Sequence, residues 1–296
     1  YKVSVDGGFT CPNRDGTVGT GGCIYCRNDS FRPCGVIRGD DLRTQVLNGI
    51  SYLTRRFKAE RFLLYWQNYT NTHAGVELLE EVFRGGLKAD SRIVGMTVGT
   101  RPDCLEDDKL DLLQELAREY YVCLEIGMES SSDRTLAWAN RGHDFRCFLD
   151  AARRIRSRGI QLCSHVILGF PGESRETLLG YPGILGRTDS NFVKFHHLHV
   201  IEGTPLAEIY NRDPFPLFSF EEWLELICEV LELLPPGIVV QRLFGWCPPN
   251  IRMLPRWNRT RAELILAISR NLARKNSWQG KKSGVPCSWE DFVVPD

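Results

Sequence analysis

Cys11, Cys23 and Cys26 fall in one glycine-rich stretch, Cys11-PNRDGTVGTGG-Cys23-IY-Cys26, with Cys34 a little further on. A C-x2-C pair presents two sulfurs to one soft metal centre, and the glycines let the chain bend a third sulfur onto it. Two chemistries fit that pattern. One is a structural zinc site with Cys34 as fourth ligand; the other is an iron–sulfur cluster on three thiolates, with one iron left open to a substrate or cofactor. The remaining cysteines (Cys104, Cys123, Cys147, Cys163, Cys228, Cys247 and Cys287) stand singly, which is no disulfide framework and suits a reducing, cytoplasmic compartment. His197 and His199 alternate about Leu198, so on a strand they share a face, and that face is a candidate for catalysis. Lysine plus arginine (37) balance aspartate plus glutamate (37), yet residues 251–282 carry nine of the cations against Glu263 alone. That strip is either a solvated helix face or a set of phosphate contacts.

These side chains need a frame. Strand-like runs near Lys2–Asp6, Phe62–Gln67, Ile93–Thr97, Val122–Met128, Gln161–Leu168 and Phe192–His199 alternate with helical periodicity. The helices are expected near Asp41–Phe57, Val76–Phe83, Glu106–Glu119, Phe145–Arg158 and Arg175–Leu185. Repeated alternation without hairpin signals predicts a parallel sheet with crossover helices, and apolar runs such as HVILGF predict burial on both faces. The expected α/β architecture is a partial (β/α)6 barrel of the TIM type over residues 1–205, with a C-terminal α/β extension over 206–296. In the extension, Ser219 caps a helix that Pro235 and Pro236 stop, IVVQRLF forms a seventh strand, and Arg261–Lys275 forms a basic helix. Function in such barrels sits at the C-terminal ends of the strands. Cys11, Gln67–Asn71, Gly99–Asp103, Glu129, Gly169–Glu173 and His197–Glu202 all fall there. Apolar content of 43% with 25% charged residues excludes a disordered or collagen-like chain. No apolar run reaches the roughly 18 residues of a membrane span, so no membrane partner is expected. The chain opens on strand-like YKVSV rather than a signal-peptide pattern, and the missing initiator Met predicts a trimmed N-terminus.

Taken in order, several segments carry a likeness: DGGFTCPNRDGTVGTGGCIYC, NYTNT, GTRPD, DRTLAWANRGHDF, HVILGFPGE, HLHVIEGTPL and VVQRL. The chain resembles the radical S-adenosylmethionine (SAM) superfamily over nearly its full length. Within it, the chain is similar to the bacterial YhcC/YtqA-like family, which is related to the elongator catalytic subunit. The resemblance implies that Cys11, Cys23 and Cys26 hold a 4Fe–4S cluster whose fourth iron chelates SAM. It implies that Tyr25 stacks beside the adenine, Gln67 and Asn68 meet the methionine amino group, and Glu129 takes the ribose hydroxyls. Arg141 would clamp the SAM carboxylate with its planar fork, Arg101 would join the same set, and Ile167 and Gly169 would line the adenine slot. His197 and His199 would act on the substrate. Gln241, Arg242, Arg256, Arg259, Arg261 and Arg270 would bind it. Three departures stand out: Glu129 where glutamine is usual, Asn68 where a small residue is commoner, and Trp246 where an acidic residue is usual.

The implied reaction is reductive cleavage of SAM, fed by an electron donor such as flavodoxin or ferredoxin, to a 5′-deoxyadenosyl radical that takes a hydrogen atom from the substrate. The tie to the elongator subunit points to tRNA and to the C5 side chain of a wobble uridine. Trp257, Trp278 and Trp289 are then expected to stack on bases. The rival readings are a radical SAM enzyme acting on a small molecule or peptide, and a non-catalytic, zinc-stabilised nucleic-acid-binding protein.

Overall fold

A computed structural model describes residues 1–27, 40–245 and 251–284. Expectations placed on Cys34, Trp246, Cys247, Cys287 and Trp289 lie outside these described residues. Along the chain run β1 (Lys2–Val5), α1 (Leu42–Phe57), β2 (Phe62–Trp66), α2 (Val76–Leu87), β3 (Ile93–Thr100), α3 (Asp107–Leu116), β4 (Tyr121–Glu129), α4 (Asp133–Trp138) and α5 (Phe145–Ser157). There follow β5 (Gln161–Leu168), α6 (Arg175–Arg187), β6 (Phe192–His197), β7 (Val200–Ile201), α7 (Pro205–Arg212), α8 (Phe220–Leu233), β8 (Val239–Arg242), β9 (Met253–Leu254) and α9 (Arg261–Arg274). No helix among the described residues is long and apolar enough to cross a membrane.

Seven strands form one sheet in the order β1-β2-β3-β4-β5-β6-β8, and every neighbouring pair is parallel. Spatial order follows chain order, so each crossover helix returns on the same side and the sheet curls into a half-barrel with the helices outside. The expected seventh strand joins this sheet beside β6. β7 and β9 pair separately as a short antiparallel ribbon.

Alternate strand residues explain the two layers. Leu64 and Trp66, Met96 and Val98, Leu124 and Ile126, Val166 and Leu168, and Val193 and Phe195 are fully buried in one continuous core with Phe83, Phe148, Tyr181 and Trp223 from the helices. Helix starts are set by caps. Ser219 and Glu222 form a reciprocal capping box at α8, and Thr260 and Glu263 form another at α9. The short α4 was not expected, because six residues carry too little periodicity to register, but Ser132 caps it.

The opposite face of the sheet carries charge. Glu125 of β4 is 1% exposed. Lys194 of β6 reaches its Oε2 at 2.5 Å, the Tyr65 hydroxyl of β2 donates to the same oxygen at 2.7 Å, and Lys2 of β1 meets Oε1 at 2.9 Å. His165 of β5 approaches at 3.2 Å. Lys2 also donates to Gln241 Oε1 of β8 at 3.2 Å, so side chains bridge the two edge strands where, among the described residues, no backbone pairing closes the barrel. A buried carboxylate in low dielectric costs several kcal/mol unless it is paired, and here five strands supply or hold its partners. We expect Glu125→Gln to destabilise the fold by about 3–5 kcal/mol in urea denaturation, since Lys194 is left charged and buried. The double variant Glu125→Leu with Lys194→Met should lose clearly less, and an equal loss would show that packing rather than charge sets the cost.

Candidate active site at the C-terminal rim

The cysteine loop leaves β1 and doubles back on itself. The Arg14 and Asp15 amides donate to the Cys11 carbonyl at 2.8 and 3.1 Å, and the Cys26 amide donates to the Cys23 carbonyl at 3.0 Å. Asn140, just past α4, donates its side-chain amide to the Gly22 carbonyl at 2.8 Å, which ties the loop to the end of that helix. Cys11, Cys23 and Cys26 are free thiols. Nitrogen donors surround them: Asn13 Nδ2 lies 3.8 Å and Arg141 Nη1 lies 3.7 Å from Cys23 Sγ, and Arg14 Nη2 donates to the Cys26 carbonyl at 2.8 Å. Burial, with Cys23 nearby, pushes the Cys26 thiol up to about 11. A thiol so placed becomes a thiolate at neutral pH when a metal coordinates it.

Behind the loop stands a wall of buried polar groups. Arg141 is 7% exposed; burial opposes its charge, but nearby Tyr25, Cys23 and Glu129 hold it protonated well above its ordinary value. Its Nη2 lies 3.5 Å from Glu129 Oε1, and its Nε is buried without a partner. Glu129 ends β4 with φ of 60°, a left-handed conformation costly for a side-chain-bearing residue, at a point where the β4–β5 register shifts. Gly127 makes room for the pair, since a Cβ there would lie 2.2 Å from Glu129 Oε1 and 2.5 Å from Arg141 Nη2. The Tyr25 hydroxyl, Asn68 Oδ1 and Arg101 Nη1 are likewise buried without hydrogen-bond partners. Asn68 Nδ2 approaches Asp6 at 3.5 Å, and Arg101 grips Asp103 through two nitrogens at 2.9 and 2.7 Å. Three thiols with flanking cations, beside four orphaned polar atoms, fit an iron–sulfur cluster with a polar ligand next to it.

A cavity of about 240 Å³ opens beside this wall. Tyr25, Cys26, Gln67, Glu129, Ile167, His197, His199 and Arg242 line it, together with Tyr65, Glu125, His165 and His196. Gly169 has φ of 95° and its open side faces the Phe218 ring; it lies outside the cavity lining. The β6 histidines divide. His196 accepts from Arg242 Nη1 at 3.3 Å and its ring lies 6.0 Å from that of His165, on the side of Lys194. His197 instead stacks on Trp257 at 4.0 Å and bonds His199 through the two Nε2 atoms at 2.7 Å. Trp257 thus has one face covered, and its indole N–H donates to the Phe218 carbonyl. Arg256 and Arg259 line a separate groove of about 460 Å³ with Trp257, Phe218 and Phe220. Arg261 and Arg270 are exposed on α9, away from both linings.

Sequence reasoning missed Tyr65, Glu125, Lys194 and His196. The available signal was a charge set inside an apolar run, Glu125 in VCLEIGM and Lys194 in FVKF. Glu125, Cys163 and His165 place possible ligand atoms within 4.8 Å of one another, but Lys194 already sets a positive charge on that carboxylate.

Burial and the Arg242 charge hold the His199 imidazole down at about 4, from an ordinary 6.5. The unfolded chain takes up that proton near 6.5 and the folded chain only near 4, so stability is lost as pH falls through this window. The urea midpoint should drop across it, and His199→Gln should make the drop shallower. An unchanged slope would place the protonation elsewhere.

A family model described as the radical SAM superfamily matches residues 14–197, and a radical SAM C-terminal domain model matches 190–274. YtqA of Bacillus subtilis is 37% identical over 281 residues, spanning 95% of this chain and 87% of that protein. A tRNA uridine(34) acetyltransferase of Methanocaldococcus infernus is 27% identical over 176 residues, 58% of this chain and 32% of that protein. The fold is similar to that of the archaeal Methanocaldococcus infernus Elp3 with an N-terminal deletion, with a TM-score of 0.71 at 18% identity over 94% of this chain and 63% of that one.

Proposed function

The chain belongs to the radical SAM superfamily, and from that premise we propose that it modifies tRNA, at the C5 side chain of a wobble uridine. One observation carries the reading of the site: three thiols of one loop stand at the strand C-termini beside four orphaned buried polar atoms. In this reading Cys11, Cys23 and Cys26 hold a 4Fe–4S cluster charged by a donor such as flavodoxin or ferredoxin. Arg141 and Glu129 face the charged and hydroxylated ends of SAM, with Tyr25, Gln67, Asn68, Arg101, Ile167 and Gly169 around it. When bound, cluster and SAM supply one-electron chemistry that can remove a hydrogen atom from an unactivated carbon. The protein's own part is to position that carbon in the cavity and keep water and stray reductant out. His197 and His199, held neutral by burial and joined through their Nε2 atoms, offer uncharged hydrogen-bonding imidazoles to a substrate at the cavity wall.

The tRNA assignment rests on the relative whose name states that substrate and on the exposed arginines. Arg256 and Arg259 flank a groove lined also by Trp257, whose ring stacks on His197 of the cavity wall, so a backbone held there lies close to the chamber. Arg261 and Arg270 would extend the contact along α9.

Anaerobic reconstitution should give a brown protein with about four irons per chain that releases 5′-deoxyadenosine from SAM on reduction. Cys11→Ser, Cys23→Ser and Cys26→Ser should each lose the iron, while Cys34→Ser keeps it. Colourless protein holding zinc through Cys34 would overturn the reading. Changing Arg256, Arg259, Arg261 and Arg270 together to Glu should weaken tRNA binding more than about tenfold and flatten its salt dependence. Unchanged binding would remove tRNA as the substrate and leave a small molecule or peptide.

A further inference from the structure

The charges around the cavity do not balance. Glu125 is paired with Lys2 and Lys194, and Glu129 with Arg141. Arg242 lines the same cavity and, among the described residues, belongs to no ion pair. Its one hydrogen bond goes to His196 Nε2 at 3.3 Å, which leaves most of its five N–H donors uncommitted. None of its nitrogens is sealed away from solvent without a partner, so the free part of the fork is reachable from the cavity.

The neighbours of Arg242 cannot neutralise it. His196 and His199 are held in the neutral form by burial and by the guanidinium itself. Tyr65, which also feels the Arg242 charge, keeps its proton because it is buried and donates to Glu125. A half-buried guanidinium that faces neutral imidazoles and has no carboxylate partner is stabilised by an incoming anion. Its planar fork matches a carboxylate or phosphate through two parallel hydrogen bonds.

We infer that the part of the substrate that enters the barrel carries a negative charge, a carboxylate or a phosphate, and that Arg242 binds it. This rests on the reading of the cavity as the substrate chamber of a radical SAM enzyme. Arg242 is then a specificity determinant: it selects anionic from neutral substrates and orients the bound group against the β6 end of the chamber.

The test uses the reconstituted protein with its histidine rings labelled with nitrogen-15 and assigned by single replacements. Sodium acetate, inorganic phosphate and neutral acetamide are titrated at constant ionic strength. The His196 and His199 signals should shift saturably with at least one anion and not with acetamide, while His73, paired with Asp15 outside the cavity lining, stays as the reference. Arg242→Gln should weaken the anion at least about tenfold, the loss expected for a charge-assisted pair, and Arg242→Lys should restore part of it. Whichever anion binds identifies the group. No saturable shift with either anion, equal affinity in Arg242→Gln, or displacement of the anion by S-adenosylhomocysteine would overturn the inference, the last by assigning Arg242 to the cofactor. The same preparation is assayed for reductive SAM cleavage. Failure of cleavage counts against the enzyme reading, whereas cleavage without anion binding counts against the role of Arg242 alone.

Discussion

A carboxylate buried at the centre of a parallel sheet has to be answered from all sides, and in this chain Glu125 is answered from β1, β2, β5 and β6 at once. A flat sheet could not bring those strands to one residue of β4. The ion cluster and the curl of the sheet therefore depend on each other, since the curl places Lys2 and Lys194 on the same carboxylate and the carboxylate makes it favourable for two lysines to point inward. The bridge from Lys2 to Gln241 extends this to the last strand. Replacing the cluster with aliphatic side chains would fill a half-barrel at no electrostatic cost. The charged solution keeps the floor of the cavity polar and fixed in shape.

The rim is built on the same strand. β4 carries Glu125 in its middle and ends at Glu129, where the backbone turns left-handed and the register to β5 slips. That distortion aims the Glu129 carboxylate at Arg141, whose guanidinium also reaches Cys23. Strain of this kind persists only where surrounding contacts over-determine it, and here Gly127 supplies the space and α4 anchors the cysteine loop. Floor, wall and loop are thus coupled through one strand.

What could be read from the amino-acid sequence follows how local each signal is. The Cys23–Cys26 spacing, the Ser219 cap and the span Gln161–Leu168 are local patterns, and the loop, α8 and β5 lie where they predict. Glu125 and Lys194 were not legible, because one charge in an apolar strand has meaning only when its partner on another strand is known. The histidines show the limit most clearly. Alternation about Leu198 places His197 and His199 on one face of a strand, but β6 ends at His197, and the two rings meet through their Nε2 atoms instead. Lys194 on Glu125 fixes His196 beside His165 and Arg242, while His197 and His199 line the same cavity from further along the chain. Trp257 was legible as an aromatic near arginines, but its stack on His197 joins segments far apart in the chain.

The charges of the cavity are of two kinds. The histidines are the only groups there whose ordinary titration lies near neutrality. Burial lowers all four of them, and the Arg242 charge adds to the effect at His196 and His199. The remaining charges belong to arginine, to lysine paired with carboxylate, and to Glu125, held ionised by His165, Lys194 and Lys2 against its own burial. The field inside the chamber is positive at Arg242 and, with two lysines on one carboxylate, at Glu125, whereas Glu129 and Arg141 offset each other. The neutral imidazoles are left as hydrogen-bond donors and acceptors on the wall of the chamber.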